Sequence, residues 1–343
     1  MHIAPDYRSD LFVKPEEAYR RILSRVQKWQ EADPGERAKG TIWQARHHSS
    51  QTAPGNQVLS LVGERGGGKT WLLRHLAEKD RIISPHAVYL DLDERNSFSS
   101  ASRYTQEIKD RIQEHCGSSR TILMLDTVPP DLDEDLRAFE KTVLWPHLTQ
   151  HGSLVIMAQS HPLRVCWRVP ALRGAERCHL PPFEEAQTNE QIKRLRKTNM
   201  SQGNLKTSRL QQASGGLPLL NYLLATRDQT ESWNALLDYW LASVPEDDRA
   251  QVQSYLEIVC TLDTLDHAKI QKALDVYNRH QPEADAGRTH PGRIRNQLRK
   301  YRLARPMSDS PGRVVLVDSI QRATRETLGV RDSALYAELE AIA

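Results

Sequence analysis

A glycine-rich segment between an apolar run and a predicted helix constrains the fold of this chain most. The apolar run covers residues 58–62, and a helix is predicted from Trp71 to Lys79. The segment between them reads Gly63-Glu64-Arg65-Gly66-Gly67-Gly68-Lys69-Thr70. Its spacing matches the phosphate-binding loop G-x4-G-K-[ST], which joins a buried strand to a helix. The sequence therefore predicts an α/β fold with the loop at the carboxyl end of a strand.

The residue types in this loop suit a nucleotide polyphosphate. Glycines let backbone N–H groups turn toward phosphate oxygens, and the helix that follows presents the positive end of its dipole. Lys69 is predicted to contact the β- and γ-phosphates, and the Thr70 hydroxyl is predicted to ligate Mg²⁺. The predicted ligands are ATP or ADP with Mg²⁺. The predicted nucleotide contacts here are Gly63, Glu64, Arg65, Gly66, Gly67, Gly68, Lys69, Thr70 and Trp71.

Three further apolar runs alternate with predicted helices. The runs cover residues 87–92, 121–126 and 153–158, and the helices cover residues 102–114 and 136–150. Strands that are apolar along their whole length are typical of a parallel sheet covered on both faces. The predicted fold class is a P-loop NTPase parallel sheet flanked by helices, followed by a helical lid and a winged-helix domain.

Two polar residues end neighbouring strands of this predicted sheet. Asp126 ends the third apolar run and is predicted to hold Mg²⁺ with Thr70, so Lys69 and Asp126 are the candidate catalytic residues. Gln159 ends the fourth run and is predicted to sense the γ-phosphate. Thr127 stands where many hydrolysing relatives have a second acid. Slow ATP hydrolysis and binding without turnover therefore both remain open.

Bulk properties limit the class of protein. The chain has 343 residues, a net charge of +3 and 38% hydrophobic residues, which suits two or three globular domains. No apolar run approaches the length of a membrane span, and the first thirty residues lack the apolar core of a signal peptide. The cysteines are far apart, without a C-x-x-C pair, as expected of reduced thiols. We expect a cytoplasmic protein that does not enter a membrane.

At this point the residues resemble a known family, the STAND-class signal-transduction ATPases, which are related to AAA+ proteins and include bacterial NACHT- and NB-ARC-like members. The resemblance rests on the phosphate loop with residues 122–126, on residues 167–173 followed by Leu180-Pro181-Pro182-Phe183-Glu184, and on Gly216-Leu217-Pro218. It implies that Gly216 and Pro218 lie beside the nucleotide base. It also implies four regions: a helical segment (1–39), the P-loop domain (40–183), a helical lid (184–235) and a winged-helix-like domain (236–343).

The resemblance implies a molecular switch. ADP would hold the domains closed, and exchange for ATP would open them and permit homo- or hetero-oligomerisation. Such proteins often work with a separate effector or sensor protein, in bacterial antiviral defence or signalling. One departure concerns Val317-Asp318, because family members often place a histidine near this point to read the ADP β-phosphate.

Two other functions remain open. The first is a DNA-binding AAA+-type ATPase, such as an initiator or a transposition regulator, because basic residues cluster between residues 288 and 305. Arg295, Arg299 and Arg302 are predicted to share a helical face, and Arg293 precedes them as a further candidate nucleic-acid contact. The net charge is too small to indicate nucleic-acid binding by itself. The second alternative is a non-hydrolysing scaffold that keeps a nucleotide only for structure.

Overall fold

The computed structural model describes residues 5–31, 57–92, 101–116, 120–128, 134–159, 172, 175–201, 206–282, 289–307, 310 and 312–342. The described residues from Asp6 to Arg194 form one compact unit, and those from Leu195 onward form a second. The side chain of Gln159 lies outside the described residues. No helix in the described ranges is long and apolar enough to cross a membrane.

The first unit contains a parallel sheet, which has five strands within the described residues, in the order β2-β3-β4-β1-β5. The strands are β1 (Val58–Val62), β2 (Ala87–Asp91), β3 (Ile122–Asp126), β4 (Leu154–Gln159) and β5 (Glu176–His179). β4 therefore lies between β1, which enters the phosphate loop, and β3, which ends in Asp126. All three strands end at the same edge of the sheet because they are parallel.

Helices cover both faces of this sheet. They are α1 (Glu16–Glu31), α2 (Lys69–Glu78), α3 (Ala101–Cys116), α4 (Glu134–Phe139) and α5 (Trp145–Thr149), with a π-helical segment at Glu140–Leu144. A further helix, α6 (Glu185–Lys197), follows β5 along the chain. Side chains alternate between two cores along β3, because successive residues of a strand point to opposite faces. Leu125 belongs to the same core as Ile108 of α3, and Met124 belongs to the other core, with Ile22 of α1 and Leu72 of α2.

The second unit is mainly helical. Its helices are α7 (Thr207–Ser214), α8 (Pro218–Thr226), α9 (Gln229–Leu241), α10 (Glu246–Val259), α11 (His267–His280), α12 (Pro291–Lys300), α13 (Asp318–Arg331) and α14 (Ser333–Glu340). Two short strands, β6 (Ala304–Pro306) and β7 (Val314–Leu316), pair antiparallel after α12. The predicted fold class is confirmed for the P-loop α/β sheet and the helical C-terminal part.

The end of α12 corrects a detail of the sequence interpretation. Arg302 was predicted to share a helical face with Arg295 and Arg299, but the helix ends at Lys300. The N–H of Leu303 donates to the carbonyl of Leu298, and the N–H of Arg302 donates to Arg299. These two bonds form a Schellman motif, and Arg302 takes the left-handed position with a φ of 61°. Arg302 therefore does not extend the helical face.

Candidate nucleotide-binding site

Successive glycines give the phosphate loop its shape. Gly66 and Gly68 have φ values of 83° and 87°, which disfavour any residue with a Cβ atom. Gly67 donates its N–H to the carbonyl oxygen of Glu64 at 3.0 Å. A Cβ atom on Gly67 would lie 2.8 Å from that same oxygen, which is too close for a real contact. The loop therefore needs all three glycines, two for their dihedral angles and one for space.

Gly63 lets the end of β5 approach the start of the loop. The N–H of Leu180, just after β5, donates to the carbonyl oxygen of Val62 at 2.7 Å. A Cβ atom on Gly63 would lie 3.0 Å from the Leu180 oxygen and 3.2 Å from its Cβ atom. A larger residue would push β5 away from the loop.

Lys69 is buried at the first turn of α2, with 8% of its surface exposed. Its Nζ atom donates to the carbonyl oxygens of Gly63 and Glu64, both at 2.8 Å. An ammonium has three N–H donors, so one remains for a ligand. Burial lowers the pKa of Lys69 to about 8, while the charges of Asp126 and Glu64 act in the opposite direction. At neutral pH the loop therefore contains a positive charge.

Asp126 is 2% exposed at the end of β3 and accepts a hydrogen bond on each carboxylate oxygen. The Tyr89 hydroxyl of β2 donates to Oδ2 at 2.7 Å, and the Thr127 N–H donates to Oδ1 at 2.8 Å. Burial and the charge of Asp126 raise the pKa of Tyr89, so its hydroxyl keeps its proton. Tyr89 was not predicted to belong to the site, because no spacing in the sequence shows that β2 and β3 are neighbours.

Thr127 has a left-handed backbone with a φ of 51°, which is strained for a β-branched residue. Its side chain is exposed, directly after the buried Asp126. The conformation directs its N–H to the Asp126 carboxylate. The position directly after the buried acid is therefore accessible to solvent but has only a hydroxyl.

The other predicted contacts lie in two places. Thr70 is exposed at the second residue of α2, and the Trp71 ring lies edge-on to the Tyr7 ring at 5.7 Å. Gln159 is opposite Val62 in the β1–β4 register, so its backbone is beside the start of the loop. Gly216 and Pro218 belong to the second unit, where Gly216 has a φ of 78° and Pro218 begins α8. Their predicted contact with the base stays a prediction.

The predicted nucleic-acid contacts lie on and after α12. Arg293 and Arg299 are exposed, whereas Arg295 is half-buried and donates to the carbonyl oxygen of Gly312 at 3.1 Å. Arg302 follows the helix in the left-handed position. A shallow open groove runs along one side of α12. It is lined by His290, Gly292, Arg293, Asn296, Gln297 and Lys300.

Comparisons with known proteins give structural likeness only. No family model matches the sequence, and no curated protein matches it. A structure from work on katanin self-assembly is similar over 52% of this chain and 58% of the katanin chain, with 17% identity and a TM-score of 0.38. A structure of Orc1 from Aeropyrum pernix in complex with DNA is similar over 96% of both chains, with 14% identity and a TM-score of 0.41. Likeness at this level assigns no function.

The sheet and the loop themselves define the class of this chain. A glycine loop joins the buried strand β1 to a helix, and a buried carboxylate ends β3, the second strand away from β1, at the same edge of the sheet. The chain is a P-loop α/β protein with a helical C-terminal part.

Proposed function

We propose that this chain binds ATP and ADP with Mg²⁺ through the loop of residues 63–70 and acts as a STAND-like switch. The observation that supports nucleotide binding best is the buried Lys69 ammonium inside a loop of glycines, close enough to Asp126 for their charges to interact. Burying a lysine ammonium is costly because the charge loses its hydration. A polyphosphate would supply the negative charge that offsets this cost.

The residues present fit a magnesium nucleotide. Backbone N–H groups of residues 66 and 68–70 and the Lys69 ammonium would hold the phosphates at the N-terminus of α2. The Thr70 hydroxyl and the Asp126 carboxylate would hold Mg²⁺ and its water shell, and oxygen ligands of this kind suit that ion. Bound Mg²⁺ would neutralise phosphate charge. Gln159 would sense the γ-phosphate, and Gly216 and Pro218 would lie beside the base.

The switch itself depends on how ATP and ADP differ in affinity for two states of the protein. A nucleotide can move such an equilibrium only by its differential affinity. Because Thr127 supplies no carboxylate, we propose that hydrolysis is slow and that the bound nucleotide persists. Oligomerisation, or activation of a separate effector or sensor protein in a bacterial defence or signalling system, would report the nucleotide state. We also propose the boundaries 1–39, 40–183, 184–235 and 236–343 for its regions.

Nucleotide binding is tested with Lys69→Ala, and Lys79→Ala is the matched control. Lys79 is an exposed lysine at the other end of α2. Losing a charge-assisted hydrogen bond is worth about 1.5–3 kcal/mol, so Lys69→Ala should weaken Mg·ATP binding roughly 10- to 100-fold in calorimetry. Lys79→Ala should bind like the unmodified protein. Equal affinity in both variants would refute the proposed site.

The switch is tested by particle size. Light scattering of the same protein with ADP, and with a non-hydrolysable ATP analogue, should give two different masses or two different partner affinities. Lys69→Ala should show one value under both conditions. If the unmodified protein binds both nucleotides but keeps one mass and one partner affinity, the scaffold alternative replaces the switch. Steady ATP turnover that is lost in Asp126→Ala would exclude the scaffold.

A second candidate function, DNA binding, is favoured by the groove on α12. Its lining combines Arg293 and Lys300, which suit phosphates, with Asn296 and Gln297, whose amides suit base edges. The order α10, α11, α12, β6, β7 also fits the winged helix expected of this region. In a winged-helix or helix-turn-helix domain, a helix in this position would enter the major groove.

Salt-dependent binding distinguishes this candidate. Affinity for duplex DNA should fall linearly on a logarithmic salt scale, with a slope of about 0.9 for each phosphate contact. The double variant Arg293→Ala, Lys300→Ala should have a slope smaller by the amount expected for about two phosphate contacts. Lys272 is an exposed lysine on α11, and Lys272→Ala should leave the slope unchanged. No binding at low salt would exclude this candidate and leave the proposed nucleotide site untouched.

A further inference from the structure

The acid of β3 is bound by a tyrosine from the neighbouring strand. The Tyr89 hydroxyl donates to Asp126 Oδ2, and the Thr127 N–H donates to Asp126 Oδ1. The two donors act on different oxygens of a carboxylate that is almost fully buried. Rotation of the carboxylate about its Cβ–Cγ bond would break at least one bond, so the pair fixes its plane. Each oxygen still keeps a further acceptor site, since a carboxylate oxygen has two lone pairs.

The sheet register explains why Tyr89 reaches this acid. In the pairing of β2 with β3, Tyr89 is opposite Met124, and Asp91 is opposite Asp126. The phenol therefore extends along the sheet by two residues, toward the edge that contains the phosphate loop. A shorter side chain with a hydroxyl, such as serine, would not span this distance. Reaching the acid from this position requires a long side chain with a donor at its end, which Tyr89 supplies.

Tyr89 also contacts the helix that follows the loop. The Arg74 guanidinium of α2 lies 5.2 Å from the centre of the Tyr89 ring, which is within the range of a cation–π contact. Arg74 is five residues after Lys69 on the same helix. The ring of Tyr89 therefore lies between the helix that presents Lys69 and the strand that presents Asp126. Its position depends on both elements.

We propose that Tyr89 is a positioning residue that holds Asp126 in the orientation needed to bind the water shell of Mg²⁺, and so sets the Mg²⁺ affinity of the nucleotide complex. This inference depends on the proposed function of the site. Tyr89 acts through Asp126, so its removal should change the Mg²⁺ dependence of nucleotide binding more than the binding of nucleotide alone. Outer partners of metal ligands typically change metal affinity by about 10- to 100-fold.

The test uses Tyr89→Phe in the full chain, with Tyr19→Phe as the matched control. Tyr19 also donates its hydroxyl to a buried aspartate, Asp80, in the same unit. A fluorescent ADP is titrated in EDTA and then at rising MgCl₂, and circular dichroism checks that each variant is folded. In EDTA, Tyr89→Phe should bind the fluorescent ADP with an affinity within about twofold of that of the unmodified protein. It should need about tenfold more Mg²⁺ than the unmodified protein to reach half of the full Mg²⁺ effect on ADP binding. Tyr19→Phe should match the unmodified protein in both.

A double-mutant cycle separates positioning from a general structural role. In an Asp126→Asn background, Tyr89→Phe should add no further shift in the Mg²⁺ midpoint, because the group through which it acts is already altered. An equal shift in both backgrounds, an unchanged midpoint, or an equal loss of binding in EDTA and in Mg²⁺ would each overturn the proposal. If the unmodified protein bound no nucleotide, the proposed function would fail first, and both would be abandoned.

Discussion

The Nζ atom of Lys69 lies 2.8 Å from the carbonyl oxygen of Gly63, so the lysine donates a hydrogen bond back into its own loop. This contact fixes the ammonium at the carboxyl edge of the sheet instead of leaving it extended in solvent. The cost is the loss of hydration around a charge that is 8% exposed. The lowered pKa of Lys69 reflects the same cost.

The pH dependence of stability should show this cost. The pKa of Lys69 is about 8 in the folded protein and 10.5 ordinarily, so between these values the unfolded chain binds a proton that the folded chain has released. The free energy of unfolding, relative to Lys69→Met, should therefore rise as the pH increases through this window, by up to about 3 kcal/mol. Urea denaturation of both proteins at pH 7 and pH 10 measures the difference. If the difference in the free energy of unfolding between the two proteins were the same at both pH values, the burial of the charge would be contradicted.

Thr127 offers a direct test of why turnover should be slow. Replacing Thr127 with glutamate would put a carboxylate on the exposed position next to Asp126, where it can polarise an attacking water. A positioned general base contributes about 10²- to 10⁴-fold, so even an imperfect placement should raise phosphate release about tenfold. The neutral Thr127→Gln is the control, because it has the same length and no charge. Equal rates in the two variants would show that the missing acid does not limit hydrolysis.

The sequence predicted those strands of the first unit whose burial requires an apolar run in the sequence. β1, β3 and β4 are buried on both faces, so they are apolar along nearly their whole length. β5 was not predicted because it is short and polar, with only Cys178 buried. Its place in the sheet comes from pairing with β1, and a pairing of this kind has no local signal.

The site was predictable to the same extent. The loop and Asp126 follow from local spacing, because the strand, the loop and the helix are contiguous in the chain. The contact of Tyr89 with Asp126 depends on which strands are neighbours, and its partner Arg74 depends on the placement of α2. The end of α12 was mispredicted because Arg302 occupies a backbone conformation usually taken by glycine.

Glu257 and Arg331 connect α10 to α13, and breaking their contact should destabilise the second unit. The Glu257 carboxylate is 7% exposed and accepts from Arg331 at 2.7 Å, while Arg331 is half-exposed. Arg331→Met would leave a buried charge without its main partner, at a cost of about 1–3 kcal/mol in the free energy of unfolding. Glu257→Gln with Arg331→Met should recover part of that loss, because no charge is then buried. Chemical denaturation of the single and double variants measures this, and a double variant less stable than Arg331→Met would refute the explanation.

Replacing Arg302 with glycine should raise the free energy of unfolding, whereas replacing Arg299 with glycine should lower it, although both are arginines near the end of α12. Arg302 has a φ of 61°, which costs a residue with a Cβ atom about 1–2 kcal/mol, so Arg302→Gly should raise the free energy of unfolding by about 1 kcal/mol. Arg299 is inside the helix, where glycine is about 1 kcal/mol less favourable than alanine, so Arg299→Gly should lower it. Urea denaturation of the two variants gives both values in one experiment. Because each variant loses the same charge, a general effect of charge would move both in one direction, whereas the Schellman geometry moves them in opposite directions. Destabilisation of similar size in both variants would mean that the contacts of the Arg302 side chain outweigh its backbone strain.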